Sequence, residues 1–337
     1  MGDSAAATGE ENRGALRVVV TDHGFPDLNV EREVISRFGA QLEEYQATDP
    51  DEVARVAERA DALLVQFATV SREVIERLQR CRVIVRYGIG VDNVDVEAAT
   101  ANRIPVVNVP DYALDEVADH AMALMLTSVR KIPQVSRQIG DGIWEPNPCR
   151  PMYSLSGKTL GLAGFGAIAR RVATRAQAFG LRVVAFDPYV AAERFEAQGV
   201  EPVSRNQLLE MSDIVSIHLP LTDETHHLFD AGALGRMRPG AYLINTSRGA
   251  VVESAALIRS LQDGQLAGAG LDVLEQEPVE SDSLLLTLPS VVLTSHCAWY
   301  TVEALDRLKR YAAEEVVRVL AGEQPRNVVN GEALRRS

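Results

Sequence analysis

Three side chains able to move a proton or hold an anion stand just past apolar runs that are far apart in the sequence. Arg248 follows the run Ala241–Ile244 within Asn245-Thr246-Ser247-Arg248-Gly249. Glu277 comes five residues after Asp272, which closes the run Ala267–Leu271, and His296 follows Val291–Ser295. An imidazole titrates near neutral pH and serves as general acid or base, and a carboxylate beside it fixes the ring. A guanidinium grips a carboxylate through a planar fork. Taken singly, an Arg or Glu in a loop is a solvated charge, and a His is a satisfied structural group. In an open parallel sheet, however, the C-terminal strand ends converge on the ligand crevice, where these three can meet.

A fourth strand end carries different chemistry. Thr159-Leu160-Gly161-Leu162-Ala163-Gly164-Phe165-Gly166-Ala167-Ile168-Ala169 contains G-x-G-x-x-A between an apolar strand and an amphipathic helix marked by Ile168, Val172, Ala176 and Phe179. Gly164 allows the tight turn, Gly166 lets the backbone approach a pyrophosphate, and Ala169 is small enough for helix–strand packing. The N–H groups around Ala167 and Ile168 would face the phosphates. Asp187 ends the next strand about twenty residues on, where a carboxylate binds the ribose hydroxyls and repels a 2′-phosphate. The pattern predicts dinucleotide binding, with NAD rather than NADP as cofactor. His218, in His218-Leu219-Pro220-Leu221-Thr222, ends a further strand and is placed to line the cofactor. His23, His120, His226 and His227 read as loop or structural residues. No His/Cys/Asp group has zinc-ligand spacing along the chain, so no metal is expected.

The elements that must position these groups form two alternating strand–helix series. In the first, apolar runs at Leu16–Thr21, Ala62–Val65, Arg82–Val85 and Val106–Asn108 alternate with helical segments at 31–39, 51–59 and 71–79. In the second, strands at 159–163, 181–186, 213–217, 241–245, 268–272 and 291–294 follow a long apolar helix at 114–130. Helices are expected at 167–179 and 205–210 between those strands, and a final one at 302–321. Strands that alternate with helices in this way are parallel, with right-handed crossovers. The expected fold is α/β, with two doubly wound parallel-sheet domains. The stretch 139–156, rich in proline, reads as a surface loop.

Composition narrows the function classes. The 337 residues carry a net charge of −13, with 34 Lys+Arg against 47 Asp+Glu. Such a surface repels a polyphosphate backbone, so nucleic-acid binding is not expected. No apolar run is long enough to span a membrane, and residues 1–14 are polar, without the apolar core of a signal peptide. That tail is expected to be disordered. Cys81, Cys149 and Cys297 are widely spaced and odd in number, which reads as reduced thiols in a cytoplasmic protein.

Together these motifs resemble the D-isomer-specific 2-hydroxyacid dehydrogenase family. The resemblance rests on Tyr87-Gly88-Ile89-Gly90-Val91-Asp92-Asn93-Val94-Asp95, the glycine loop with Asp187, His218-x-Pro220-x-Thr222, Asn245-Thr246-Ser247-Arg248-Gly249, Leu271-Asp272-Val273 with Glu277-Pro278, and His296. It extends from about residue 15 to residue 330. Within the family, Ile84-Val85-Arg86 and His296-Cys297-Ala298-Trp299-Tyr300 look most like the branch of the C-terminal binding proteins and the phosphoglycerate dehydrogenases. Ala169, Asp119 and Cys297 depart mildly from the family pattern.

The resemblance implies a Rossmann NAD-binding domain, 110–298, inserted into a flavodoxin-like substrate domain, 15–109 plus 299–330. It implies reversible hydride transfer between NADH and a small 2-oxo acid, giving the D-2-hydroxy acid. His296 would be the acid/base, Glu277 its orienting partner, and Arg248 the group binding carbonyl and carboxylate. The implied cofactor set adds Pro220, Thr225, Thr246, Asp272 and Ala298 to Gly164, Gly166, Ala167, Ile168, Asp187 and His218. Arg86, Ile89, Gly90, Arg248 and Trp299 would bind substrate, Arg86 suiting an extra anionic group. A homodimer is expected, with Trp144 a candidate contributor. The competing reading is an NAD(H)-sensing scaffold or corepressor with little turnover.

Overall fold

The computed structural model describes residues 15–145 and 149–336. The tail 1–14 and residues 146–148 of the proline-rich stretch lie outside the described residues. The chain forms two compact units. One runs through Tyr112 and resumes at Thr301, and the other is Ala113–Tyr300.

The first unit alternates β1 (Arg17–Val20), α1 (Asn29–Arg37), β2 (Gln41–Glu44), α2 (Pro50–Ala57), β3 (Ala62–Val65), α3 (Arg72–Glu76), β4 (Ile84–Arg86), α4 (Val96–Ala101) and β5 (Val106–Val107). Its five strands are parallel in the order β2-β1-β3-β4-β5. This is the 2-1-3-4-5 order of flavodoxin-like sheets. Every residue of β3 is buried, as expected of a strand covered on both faces. β2 and α4 were not anticipated: β2 is an edge strand of sequence QLEE, partly exposed along its length, so it lacks the apolar run of a central strand.

The second unit begins with α5 (Leu114–Val129) and α6 (Ile132–Gly140). It continues through β6 (Thr159–Ala163), α7 (Ala167–Ala178), β7 (Arg182–Phe186), α8 (Ala192–Glu196), β8 (Glu201–Pro202), α9 (Arg205–Met211) and β9 (Ile214–Ile217). It closes with α10 (Ala231–Arg236), β10 (Ala241–Asn245), α11 (Ser254–Gln262), β11 (Leu266–Leu271) and β12 (Val291–Leu293). The seven-stranded sheet runs β12-β11-β10-β9-β6-β7-β8. Numbered from β6, that is the Rossmann order 3-2-1-4-5-6 with one strand appended, and its switch point lies between β6 and β9. α5 packs on α7 and on β10 and β11. Asp115 and Asp119 on α5 pair with Arg175 of α7, at 3.0 and 2.6 Å, so the Asp119 departure has its own ion-pair partner.

After the second unit, α12 (Val302–Leu320) returns to complete the first, followed by α13 (Gly331–Arg336). Thr301 caps α12 by accepting from Ala304 N–H, and Ala304, Leu308, Ala312, Val316 and Leu320 are buried. Lys309, also buried, donates to the Asp27 carbonyl at 2.7 Å and lies 3.7 Å from Glu31. The Tyr87 hydroxyl donates to Glu31 at 3.1 Å. Burial pushes the Glu31 carboxyl above its ordinary value, against the pull of hydrogen bonds and the Lys309 charge. This network anchors Tyr87, the first residue of the Tyr87–Gly90 loop, to α1 and α12.

Candidate active site

In the second unit, three loops bring the Arg, Glu and His together. At the end of β10, buried Asn245 accepts from the Ser247 N–H and hydroxyl and donates to the Arg248 carbonyl at 2.9 Å. Arg248 is thereby held in a tight turn. A Cβ on the next residue, Gly249, would fall 1.9 Å from the Leu274 carbonyl carbon and oxygen, so only glycine lets this turn press against the 274–277 loop. In that loop Glu277 accepts from Leu274 N–H at 2.9 Å and pairs with His296 Nδ1 at 2.7 Å.

His296 itself has φ 54°, a left-handed conformation that costs a non-glycine residue about 1–3 kcal/mol. Asp272, whose side chain is 1% exposed, supplies the compensation. Its carbonyl accepts from His296 N–H at 2.8 Å, and its carboxylate accepts from Cys297 and Ala298 N–H and from the Thr294 hydroxyl. The turn carrying the imidazole is thus wrapped around one buried carboxylate. Trp299 adds a bond from its indole N–H to the His296 carbonyl at 2.9 Å. Burial alone would raise the Glu277 carboxyl. The hydrogen bonds from His296 and Leu274 and the charges of His296 and Arg248 outweigh it and hold that carboxyl below its ordinary value. The result is a carboxylate that favours its ionised form and fixes the ring through Nδ1.

The glycine loop lies at the switch point of the same sheet. Gly164 has φ +91°, and a Cβ there would meet the His218 carbonyl oxygen at 2.5 Å. Asp187 accepts from Phe165 N–H at 2.8 Å and from Tyr189 N–H at 3.0 Å, one bond to each oxygen. Its carboxylate is therefore oriented by the loop, and each oxygen retains capacity for a hydroxyl donor. Gly166 begins α7 without a capping side chain, and a Cβ on it would meet nothing within 4 Å. Ile168 is half-buried, and Phe179, expected on the apolar face of α7, sits just past its end and is 49% exposed. Pro220 and Thr225 belong to one braced loop, in which the Thr225 hydroxyl donates to the Pro220 carbonyl at 2.6 Å. His218 contacts the Ser216 hydroxyl at 2.9 Å. Although the residue as a whole is only half-buried, its ring is enclosed, and burial pushes it down to about 4.

Of the residues expected to bind substrate, Arg248 and Trp299 belong to this cluster. Arg86, Ile89 and Gly90 belong to the first unit, in β4 and the loop after it. The Arg86 guanidinium lies over that loop: a Cβ at Gly88 would fall 1.8 Å from Arg86 Nη1. One feature was missed. His120 contacts the Thr294 hydroxyl at 2.9 Å and lies 3.6 Å from Asp272, which brings it, Asp272 and Cys297 into one cluster. The three come from segments far apart in the chain, so no local spacing could have disclosed them.

A family model described as "D-isomer specific 2-hydroxyacid dehydrogenase, NAD binding domain" matches residues 122–298. The chain is 38% identical to a glyoxylate reductase of Korarchaeum cryptofilum, over 92% of this chain and 97% of that one. It is also 38% identical to a D-3-phosphoglycerate dehydrogenase of Methanocaldococcus jannaschii, over 94% of this chain but only 59% of that longer protein. The solved D-lactate dehydrogenase from Aquifex aeolicus, complexed with NAD and lactic acid, aligns over 95% of this chain and 98% of its own, with TM-score 0.83 and 28% identity. The chain therefore belongs to the D-isomer specific 2-hydroxyacid dehydrogenase family, on its phosphoglycerate dehydrogenase-like branch. It is an NAD-dependent dehydrogenase of that family. Two features fit the cofactor: the Thr246 hydroxyl just past β10 is buried with no hydrogen-bond partner among the described residues, and the Gly166 helix start is uncapped and open. Among the described residues, no helix is long and apolar enough to cross a membrane.

Proposed function

We propose that the protein reduces a small 2-oxo acid to its D-2-hydroxy acid, with His296 as the proton donor. NADH, when bound, supplies the hydride that reaches the carbonyl carbon. Negative charge then grows on the carbonyl oxygen, and His296 Nε2 protonates it; in the oxidative direction the same atom takes the proton back. Glu277 holds the opposite nitrogen and favours the imidazolium. Arg248 stabilises the developing alkoxide and grips the substrate carboxylate with its fork. Asp187 would hold the ribose hydroxyls, and Asp272, Thr246, His218, Thr225, Pro220 and Ala298 would line the rest of the cofactor. Asp272 would take the nicotinamide carboxamide. For Ile89, Gly90 and Arg86 of the first unit, the substrate-binding roles that the family resemblance implies stay part of this proposal. Glyoxylate, hydroxypyruvate and a phosphorylated oxo acid are the candidate substrates.

The observation that carries this reading is the 2.7 Å His296–Glu277 pair, set beside the Arg248 turn. Replacing His296 by Gln tests it. Turnover should fall by about 10²–10⁴-fold, because the proton transfer is confined to the transition state, while NADH affinity stays within twofold. Unchanged turnover would remove His296 from the chemistry. We also propose a homodimer formed through α6 and the loop after it, and a cytoplasmic location.

A further inference from the structure

We propose that His120, Asp272 and Cys297 form a site for a soft divalent cation, Zn²⁺ being the best match, built on the turn that carries His296. The three donors come from α5, from the end of β11 and from the turn after β12. His120 Nε2, a carboxylate oxygen of Asp272 and the Cys297 Sγ all lie within 4.8 Å of one another. Imidazole, carboxylate and thiolate together make the mixed N, O, S set that zinc accepts, whereas Mg²⁺ and Ca²⁺ take oxygen ligands.

The spacing agrees with that chemistry. Zinc–ligand bonds of about 2.0–2.3 Å put tetrahedral donors roughly 3.3–3.8 Å apart. His120 Nε2 and Asp272 Oδ1 are already 3.6 Å apart. The remaining edges close by about 1 Å if the half-buried Cys297 side chain turns inward. Asp272 is a preset ligand, because the Cys297 N–H bonded to Oδ1 and the Ala298 N–H bonded to Oδ2 fix the plane of its carboxylate. The Thr294 hydroxyl, 2.9 Å from His120 Nε2 and 2.6 Å from Asp272 Oδ1, bridges the two ligands and leaves the fourth position to itself or to water. On binding, the Cys297 thiol gives its proton to solvent, the neutral His120 ring takes the tautomer with its proton on Nδ1, and the thiolate and the freed Nε2 bond the metal, with no change of oxidation state.

Resting on the functional reading above, zinc here would draw the Asp272 carboxylate away from the cofactor and oppose NADH. Calorimetric titration of the whole chain with Zn²⁺, with Mg²⁺ as control, tests the site. The expected result is one zinc bound per chain, weakened at least about tenfold in both Cys297→Ser and His120→Gln, with Mg²⁺ failing to compete. Affinity unchanged in both variants, or no zinc binding at all, overturns the proposal. A second titration follows NADH fluorescence at saturating Zn²⁺. NADH affinity should drop at least about tenfold in the wild-type chain and not in Cys297→Ser. Zinc that binds through Cys297 but leaves NADH affinity unchanged would keep the metal site and overturn its opposition to the cofactor, and with it the role given to Asp272.

Discussion

His296 sits where its backbone is strained and its side chain is held, and both facts trace to neighbouring carboxylates. Asp272 orders the turn through three backbone N–H groups, its own carbonyl accepting one of them, and Glu277 orders the ring. The Glu277 carboxyl is held below its ordinary value by His296, Leu274 and the Arg248 charge against the opposing effect of burial, so it gives up its proton at lower pH than an ordinary glutamate. The sign follows from linkage: the native state binds its proton less readily than the unfolded chain. The stability Glu277 contributes is therefore complete above the unfolded carboxylate value and is lost as pH falls through the lower folded value. Urea midpoints measured between about pH 6 and pH 3 should fall more steeply for the wild-type chain than for Glu277→Gln. Glu277→Gln should also lower turnover by about 10²-fold, because the amide no longer favours the imidazolium. Parallel urea curves would detach Glu277 from His296. At this scale much was legible in the sequence, because Arg, Glu and His in loops after apolar runs mark the carboxyl ends of parallel strands. The link among His120, Thr294 and Asp272 was not, because nothing in the order of residues announces which helix face meets which strand end.

The strands that place these groups, β10, β11 and the edge strand β12, were readable in the sequence, as were the buried central strands. β3, β6 and β9 are entirely buried and stand in the sequence as mainly apolar runs, broken only by Thr159 in β6 and Ser216 in β9. β2 and β8 are edge strands of sequence QLEE and EP, with no apolar face to betray them. α6 escaped for a different reason: none of its residues is buried, so no pattern of core contacts within the unit accounts for it. Ile132 and Ile139 of α6, with Ile143 and Trp144 after it, are exposed, Trp144 at 85%. An apolar face of this kind suits a second copy of the chain. Sedimentation at micromolar concentration should give a dimer for the wild-type chain and a monomer for Trp144→Asp. A dimer that survives the substitution would move the interface elsewhere.

At the scale of the whole molecule, the chain leaves the first unit after Tyr112 and returns at Thr301. The return is enforced by α12, whose apolar stripe and Lys309 complete the packing around α1 and the Tyr87 loop. The periodicity of 302–321 announced that helix; the inserted arrangement came from family resemblance rather than from any local pattern. What distinguishes an enzyme from a cofactor-sensing scaffold is whether the ordered His–Glu–Arg cluster turns over. NADH absorbance followed with the purified chain across a panel of short 2-oxo acids, including glyoxylate, hydroxypyruvate and a phosphorylated oxo acid, measures this directly. Steady NADH consumption with at least one of them, yielding the D-2-hydroxy acid, is expected. Micromolar NADH binding with no reduction of any member of the panel would contradict it.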